Sequence, residues 1–105
     1  MIGSVTSKNG IDILLSAERW SHIVEAHDYM AGNQDLVFET IENPDCIVRG
    51  EGGELIAIRY YQKTSISEKN MAVVYKETIK GGFVITVFMT SKPEKILKRG
   101  VLWKK

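Results

Sequence analysis

Cysteine, proline and histidine are scarce in this chain of 105 residues, which contains one cysteine, two prolines and two histidines. A single cysteine cannot form a disulfide framework, which fits a reducing compartment. Cys46 begins an apolar run and is more typical of a small buried hydrophobe than of a nucleophile. A signal peptide is not evident, and no apolar run approaches the ~20 residues that span a bilayer. We therefore expect a cytoplasmic protein without membrane association.

The chain also lacks an excess of either charge. Its formal net charge is +1, and 26% of its residues are charged. Because a strongly basic domain is the usual indication of nucleic-acid binding, any such site must be a local basic patch. The hydrophobic content of 44% suffices for one core at this length. The composition therefore predicts a single folded domain over residues 1–105.

The first half of the chain predicts a hairpin and two helices. Apolar runs at 2–6 and 11–15 flank an Asn-Gly pair, which is a strong hairpin signal. Ser16 is suited to cap a helix that we expect to extend from Ala17 to Tyr29. A second amphipathic helix is expected to end at Asn43, because the residue before a proline avoids helical geometry.

The second half is predicted to be mainly β-strand. Alternating or β-branched runs occupy residues 47–49, 54–62, 71–78 and 83–89, and glycine-containing turns join several of them. A short helix at 94–98 follows. Helices followed by an antiparallel meander indicate an α+β fold with the helices on one face of the sheet.

The two histidines are candidates for chemistry but do not form a metal site. Positions five apart lie about 140° around a helix, so His22 and His27 do not share a face. No acidic or cysteine residue completes a ligand set, and we expect no metal. His27 lies on the apolar stripe with Trp20, and His22 lies on the polar side with Glu18. The alternatives are a hydrogen-bonded core histidine for His27 and a surface histidine for His22.

Arg59 is the most informative residue of the strands. It shares a strand face with Leu55, Ala57 and Tyr61 by the period of two. A partly buried guanidinium needs an anion or hydrogen-bond acceptors, so Arg59 either pairs within the protein or holds a phosphate.

Hydroxyl groups and lysines near the last strand are further candidates. Simple alternation places Thr86 on one face with Val84 and Thr90, although a threonine is also ordinary in a strand. Thr90 and Ser91 lead into the predicted short helix, where free N–H groups favour an anion. The alternative is that Ser91 only caps the helix. Lysine side chains near these strands, Lys76 and Lys92, are weak signals alone.

Six segments together resemble one family of nuclease-like domains. They are E-R-W-x-H-I-x-x-x-H, T-I-x-N-P-D-x-I, a strand ending in Arg-Tyr, V-V-Y-K, G-F-V-I-T-x-F and T-S-K-P-x-K-I-L-x-R-G-x-L-W, in that order between residues 16 and 103. The pattern resembles the phage-associated domains of the barnase–EndoU–colicin–RelE group. This resemblance implies a single nuclease-like domain with N-terminal helices packed on a four-stranded antiparallel sheet and a short C-terminal helix.

The resemblance also implies a function. Members of the group are mostly metal-independent endoribonucleases, often toxins or phage and mobile-element effectors. Their 2′-hydroxyl attacks the adjacent phosphate, which requires a base, an acid and cations for the developing charge. The expected partner is RNA, possible protein partners are an antitoxin or immunity protein, and no cofactor is expected.

The resemblance assigns roles to individual residues. Catalytic candidates are His27, His22, Arg59 and Thr90. Substrate-binding candidates are Tyr61, Lys76, Thr86, Ser91 and Lys92. Because the two histidines point in different directions, at most one reaches a phosphate that Arg59 also holds, and we favour His27.

Three hypotheses therefore make different structural predictions. A ribonuclease requires His27, Arg59 and a hydroxyl of Thr90 or Ser91 to converge on one phosphate position. A non-catalytic module that binds RNA or a protein predicts a basic, aromatic groove without a convergent acid–base pair. An inert structural domain predicts that His27 and Arg59 are satisfied by internal acceptors such as Glu39 or Glu77.

Overall fold

A computed structural model describes residues 2–64 and 67–105. Its strands are β1 (Gly3–Thr6), β2 (Asp12–Leu15), β3 (Cys46–Arg49), β4 (Leu55–Tyr60), β5 (Asn70–Thr78), β6 (Gly81–Thr90) and β7 (Val101–Lys104). Its helices are α1 (Ala17–Ala26), α2 (Gln34–Glu42) and α3 (Glu94–Leu97), with a 3-10 turn at Asp28–Met30. Within the described residues, no helix is long and apolar enough to cross a membrane.

The strands form one mixed sheet in the order β1-β2-β6-β5-β4-β3-β7. Consecutive strands from β3 to β6 pair antiparallel, as do β1 with β2 and β7 with β3. The pair β2 and β6 is parallel, with Leu14 opposite Phe83. A parallel pair needs a long connection between its strands, and here α1, α2 and three strands lie between them.

The prediction of N-terminal helices on a four-stranded antiparallel sheet is wrong. The sheet has seven strands, and a β-hairpin precedes the first helix. Three four-residue strands account for the difference, because β2 pairs with the free edge of β6 while β7 pairs with that of β3. An unpaired strand edge exposes N–H and C=O groups, and pairing with these short strands satisfies them.

The two sheet faces carry separate apolar clusters. The inner face, covered by α1 and α2, contains the larger cluster, and the outer face is partly covered by α3. Alternation along β4 directs Ala57 inward and its neighbours Ile56 and Ile58 outward. Fully buried residues of the inner cluster include Ile13, Leu15, Val37, Ile41, Val73, Tyr75 and Val87.

Helix α1 is shorter than predicted because the backbone leaves helical geometry at His27. That residue has φ −137° and ψ 80° and is the last residue to close a helical hydrogen bond, donating to the carbonyl of Ile23. At the other end Ser16 caps the helix as predicted, accepting a hydrogen bond of 3.0 Å from the backbone of Arg19. The helix therefore ends with His27 beside the sheet.

The tip of the first hairpin folds over the inner face. Side chains of Ser7 and Asn9 both donate to the carboxylate of Glu77 on β5. This places Lys8 over the ring of Trp103 on β7, with 5.3 Å between its ammonium nitrogen and the ring centroid. The tip of the hairpin therefore meets β7 on the inner face, and a concave surface forms beside this contact.

Candidate anion-binding groove

The concave surface contains a basic groove around one tryptophan, which we call the Trp103 groove. Its volume is about 470 Å³. It is lined by Lys8, Asn43, Pro44, Arg59, Trp103, Lys104 and Lys105. Four of these seven residues have cationic side chains, and none has an acidic side chain. A concave site with cations around an aromatic ring is suited to a phosphate-bearing ligand.

Strand pairing determines how the groove is built. Trp103 lies opposite Ile47, which lies opposite the inward-facing Ala57, so the indole lies on the inner face. Lys104 pairs with Cys46 on β3, and the amide of Lys105 donates a hydrogen bond to the carbonyl of Asp45, the residue before β3. The side chains of Lys104 and Lys105 are exposed, as is that of Lys8.

Carboxylates near the groove have other partners. Glu77 accepts from the hairpin tip, Asp45 accepts a 2.8 Å bond from the amide of Tyr60, and Glu39 lies 3.7 Å from Arg59. Each of these contacts is made within the protein and does not involve the side chain of Lys8, Lys104 or Lys105. Lys8, Lys104 and Lys105 therefore supply most of the positive potential available to a ligand.

Arg59 has a structural role in addition to lining the groove. Its Nη1 donates a 2.6 Å hydrogen bond to the carbonyl of Asn43, which is the C-cap of α2. Its guanidinium also lies 5.5 Å from the ring of Tyr61. Because cations favour the negative end of a helix, this arrangement stabilises the end of α2. Asn43 is an internal acceptor of the kind that the inert-domain hypothesis predicts, and Glu39 lies 3.7 Å from the Nε of Arg59, which has no hydrogen-bond partner among the described residues.

Tyr61 is engaged within the protein. Its hydroxyl donates to the carbonyl of Leu36 at 3.2 Å and lies 3.1 Å from the hydroxyl of Thr40. Burial, partly offset by the hydrogen bond from Thr40, raises the pKa of Tyr61 to about 12. A phenol with this pKa stays protonated at neutral pH, and its ring face carries the Arg59 guanidinium. The structure thus gives Tyr61 a packing role beside the groove.

His27 belongs to a second polar group, which we call the His27 cluster. Its Nδ1 lies 3.0 Å from the hydroxyl of Tyr29, and that hydroxyl accepts a 3.3 Å bond from the amide of Met89. Strand β2 pairs with β6 only near Gly82 and Phe83, at the end of β6 away from Met89. The Tyr29 hydroxyl therefore supplies the acceptor that the Met89 amide would otherwise lack on this edge of β6. The His27 cluster therefore ties the end of α1 to the sheet.

The structure does not bring His27 and Arg59 into one site. Arg59 pairs with Met71, which in turn pairs with Met89, so two strand spacings of about 4.8 Å separate the backbones at this level. The Arg59 side chain contacts the end of α2, whereas His27 contacts Tyr29. His27 is not among the residues that line the Trp103 groove.

His22 lies on the protein surface. Its side chain is 61% exposed, and its Nε2 lies 3.9 Å from Glu18 one helical turn away. His22 is therefore a surface histidine, which is one of the two alternatives stated for it, and it lies on the side of α1 that periodicity predicts to be polar.

Thr86 and Thr90 lie on the outer face, away from Arg59. A β-bulge pairs Val74 with Thr86 and Tyr75 with Val84, so Val84 faces inward and Thr86 outward. Thr90 lies opposite Asn70, one residue out of phase with the inward-facing Met71. The prediction that Val84 and Thr86 share a face is wrong, because a bulge changes the phase of alternation.

The remaining candidates also lie away from the groove. Alternation after Tyr75 directs Lys76 to the outer face, opposite Phe83. The Thr90 hydroxyl accepts a 3.0 Å bond from the amide of Lys92, so this N–H has a local acceptor. Ser91 and Lys92 are exposed, and α3 has four residues without a side-chain cap. The predicted capping by Ser91 is absent.

Sequence reasoning missed Trp103, Lys8, Lys104 and Lys105 as candidates. The run Trp-Lys-Lys at residues 103–105 was a usable signal, because aromatic and basic residues together are typical of single-strand binding. Lys8 in the hairpin turn carried no such signal. Its position depends on the contact of the turn with Glu77, almost 70 residues away along the chain.

The other residues with possible chemistry support neither a thiol nor a metal site. Burial and the nearby carboxylate of Asp45 raise the pKa of the Cys46 thiol, with Lys104 acting in the opposite direction. A raised pKa disfavours the reactive thiolate. In the described part of the chain, no group of three or more histidine, cysteine and acidic side chains could hold a metal ion.

Comparisons with other proteins do not add to these observations. A scan against protein-family models, a search of curated proteins and a search of solved structures each gave no match. Residue geometry within this chain therefore carries the functional interpretation.

Proposed function

We propose that this protein is a non-catalytic module that binds RNA in the Trp103 groove. The observation that carries the proposal is that Lys8, Arg59, Lys104 and Lys105 line one groove together with Trp103, and no acidic side chain is among the lining residues. This is the basic, aromatic groove that the binding hypothesis predicts. The near-neutral net charge is compatible with it, because the cations are concentrated in one place.

Phosphate neutralisation supplies the expected affinity. Binding of a polyanion to lysine and arginine releases counterions, so affinity falls as salt concentration rises. If each of the four cations neutralises one phosphate of a single strand, the logarithmic salt slope is about −2.8. Sequence-independent binding of this kind has a Kd of roughly 10⁻⁴ to 10⁻⁶ M at physiological salt.

The ribonuclease activity implied by the resemblance stays a prediction. Strand cleavage needs a base and an acid within hydrogen-bond reach of the reacting oxygens, about 2.6–3.2 Å. His27 contacts Tyr29, Arg59 contacts Asn43, and Thr90 faces the opposite side of the sheet. This separation favours binding without cleavage. The toxin role and the antitoxin or immunity partner likewise stay predictions.

A charge-matched pair of triple variants tests the proposal. The first changes Lys8, Lys104 and Lys105 to Gln, and the second changes the exposed Lys80, Lys95 and Lys98 to Gln. Both remove three positive charges, but only the first removes them from the groove. The measurement is the fluorescence anisotropy of a labelled 12-nucleotide RNA over a range of salt concentrations.

The groove variant should bind RNA at least about ten-fold more weakly, with its salt slope reduced by about 2. The control variant should stay within about three-fold of the original protein. Equal losses in the two variants would mean that RNA responds to net charge alone and would contradict a groove site.

A further inference from the structure

Two adjoining cavities of different character meet at Trp103 and Lys8. The Trp103 groove is basic, whereas the second cavity, of about 210 Å³, has a largely apolar lining that includes Ile47, Leu55 and Leu102. Trp103 and Lys8 line both cavities. The indole therefore lies at the boundary between a charged compartment and an apolar slot.

We infer that the groove binds a single strand with one unpaired base stacked on Trp103 and the flanking phosphates held by the lysines. This inference rests on the proposed RNA binding and specifies the form of RNA that is bound. A nucleotide has an apolar ring with a negative phosphate beside it, and the two cavities offer matching surfaces in the same order. Base–aromatic stacking tolerates any sequence, because every base has a π-face.

Lys8 occupies the stacking position in the free protein. Its ammonium lies 5.3 Å from the ring centroid of Trp103, and its side chain is exposed. An exposed lysine–aromatic contact is weaker than the stacking of a base on a ring. A base can therefore displace the ammonium, which then lies free to contact the phosphate next to that base.

Double-stranded RNA cannot use the slot. Its bases are paired and stacked on each other, and it presents phosphates and hydroxyls to a protein surface. A duplex therefore gains the phosphate contacts of the lysines but not the contact with Trp103. The two cavities thus favour an unpaired strand over a duplex of the same sequence.

Tryptophan fluorescence offers a direct readout of the slot. The chain has two tryptophans, and Trp20 is buried in the core with 7% of its surface exposed. A ligand that stacks on Trp103 should quench its emission and leave that of Trp20 unchanged. The probes are a non-self-complementary 12-nucleotide RNA, the blunt duplex of that RNA and a DNA strand of the same sequence.

We expect the single-stranded RNA to quench the emission and to bind about ten-fold more tightly than the duplex. Trp103→Ala should weaken single-strand binding at least about five-fold and leave duplex binding unchanged. Trp103→Phe keeps an aromatic face and should keep most of the preference, which controls for damage to β7. Lys8→Gln should keep the quenching but reduce the salt slope by about 0.7.

DNA should bind within about three-fold of RNA, because stacking and phosphate contacts do not distinguish a strand with a 2′-hydroxyl from one without it.

Three results would overturn the inference in distinguishable ways. Equal binding of strand and duplex, without quenching but with dependence on the groove lysines, would leave the proposed RNA binding in place and remove the stacking. No binding of any probe at low salt would contradict both proposals. A preference for RNA over DNA above about ten-fold would show that a hydroxyl is read and would contradict an account based on stacking and charge alone.

Discussion

The His27 cluster and the Trp103 groove are two polar regions on the same face of the sheet, and they use their polar groups differently. In the His27 cluster, the ring nitrogen, the Tyr29 hydroxyl and the Met89 amide satisfy one another. In the groove, exposed lysines surround an aromatic ring. Residue types associated with catalysis here form a structural link, whereas unremarkable lysines form the surface that can take up a ligand.

Two tyrosine variants should sharpen this comparison with the largest effect on stability. Tyr29→Phe leaves the Met89 amide without its hydroxyl acceptor, so the free energy of unfolding should fall by about 1–3 kcal/mol. Tyr75 is the matched control, because its hydroxyl is buried and no hydrogen-bond partner is found for it among the described residues. Burial also raises the pKa of Tyr75 well above its ordinary value.

Tyr75→Phe removes that unsatisfied hydroxyl and should leave the free energy of unfolding unchanged or raise it by about 1 kcal/mol. Urea denaturation measures both variants, and neither should change RNA affinity by more than about two-fold. A Tyr29→Phe variant that unfolds at the same urea concentration as the original protein would show that the His27 cluster contributes nothing to the fold.

Glu39→Gln should have a smaller effect, and it tests the Trp103 groove through its RNA affinity. Glu39 lies 3.7 Å from Arg59, and both side chains are partly exposed, at 46% and 26%. Such a pair contributes about 0–1 kcal/mol to stability. Removal of the negative charge beside the groove should raise RNA affinity about two- to five-fold at low salt. A decrease in affinity would mean that Glu39 positions Arg59 for the ligand.

His22→Ala should have the smallest effect of all. The side chain is mostly exposed, and its contact with Glu18 is long at 3.9 Å. We expect a change below about 0.5 kcal/mol in the free energy of unfolding and no change in RNA affinity, measured by the same two assays. A large loss of affinity in this variant would assign the histidine motif a role in binding after all.

The sequence predicted features that depend on neighbouring residues. The Asn-Gly pair predicted the first hairpin, and Ser16 predicted the start of α1. The period of two placed Arg59 on the face of Ala57 and Tyr61, as observed. These features follow from backbone preferences and side-chain direction within one element.

Features that depend on distant pairing were not predictable in the same way. The parallel contact of Leu14 with Phe83 depends on which strand edge remains free after the other strands have paired. The bulge that separates Val84 from Thr86 changes the alternation without a local signal. The contact of Lys8 with Trp103 joins the two ends of the chain. The groove therefore exists only after the whole sheet has formed.

One experiment tests the central claim, which is that the Trp103 groove binds RNA and that the His27 cluster does not cleave RNA. The original protein and the His27→Ala variant are each incubated with a labelled RNA in EDTA, and both the fraction bound and the length of the RNA are measured. We predict that both proteins bind the strand with affinities within about three-fold and leave it intact. Cleavage by the original protein that is lost in His27→Ala would contradict this account and support a ribonuclease.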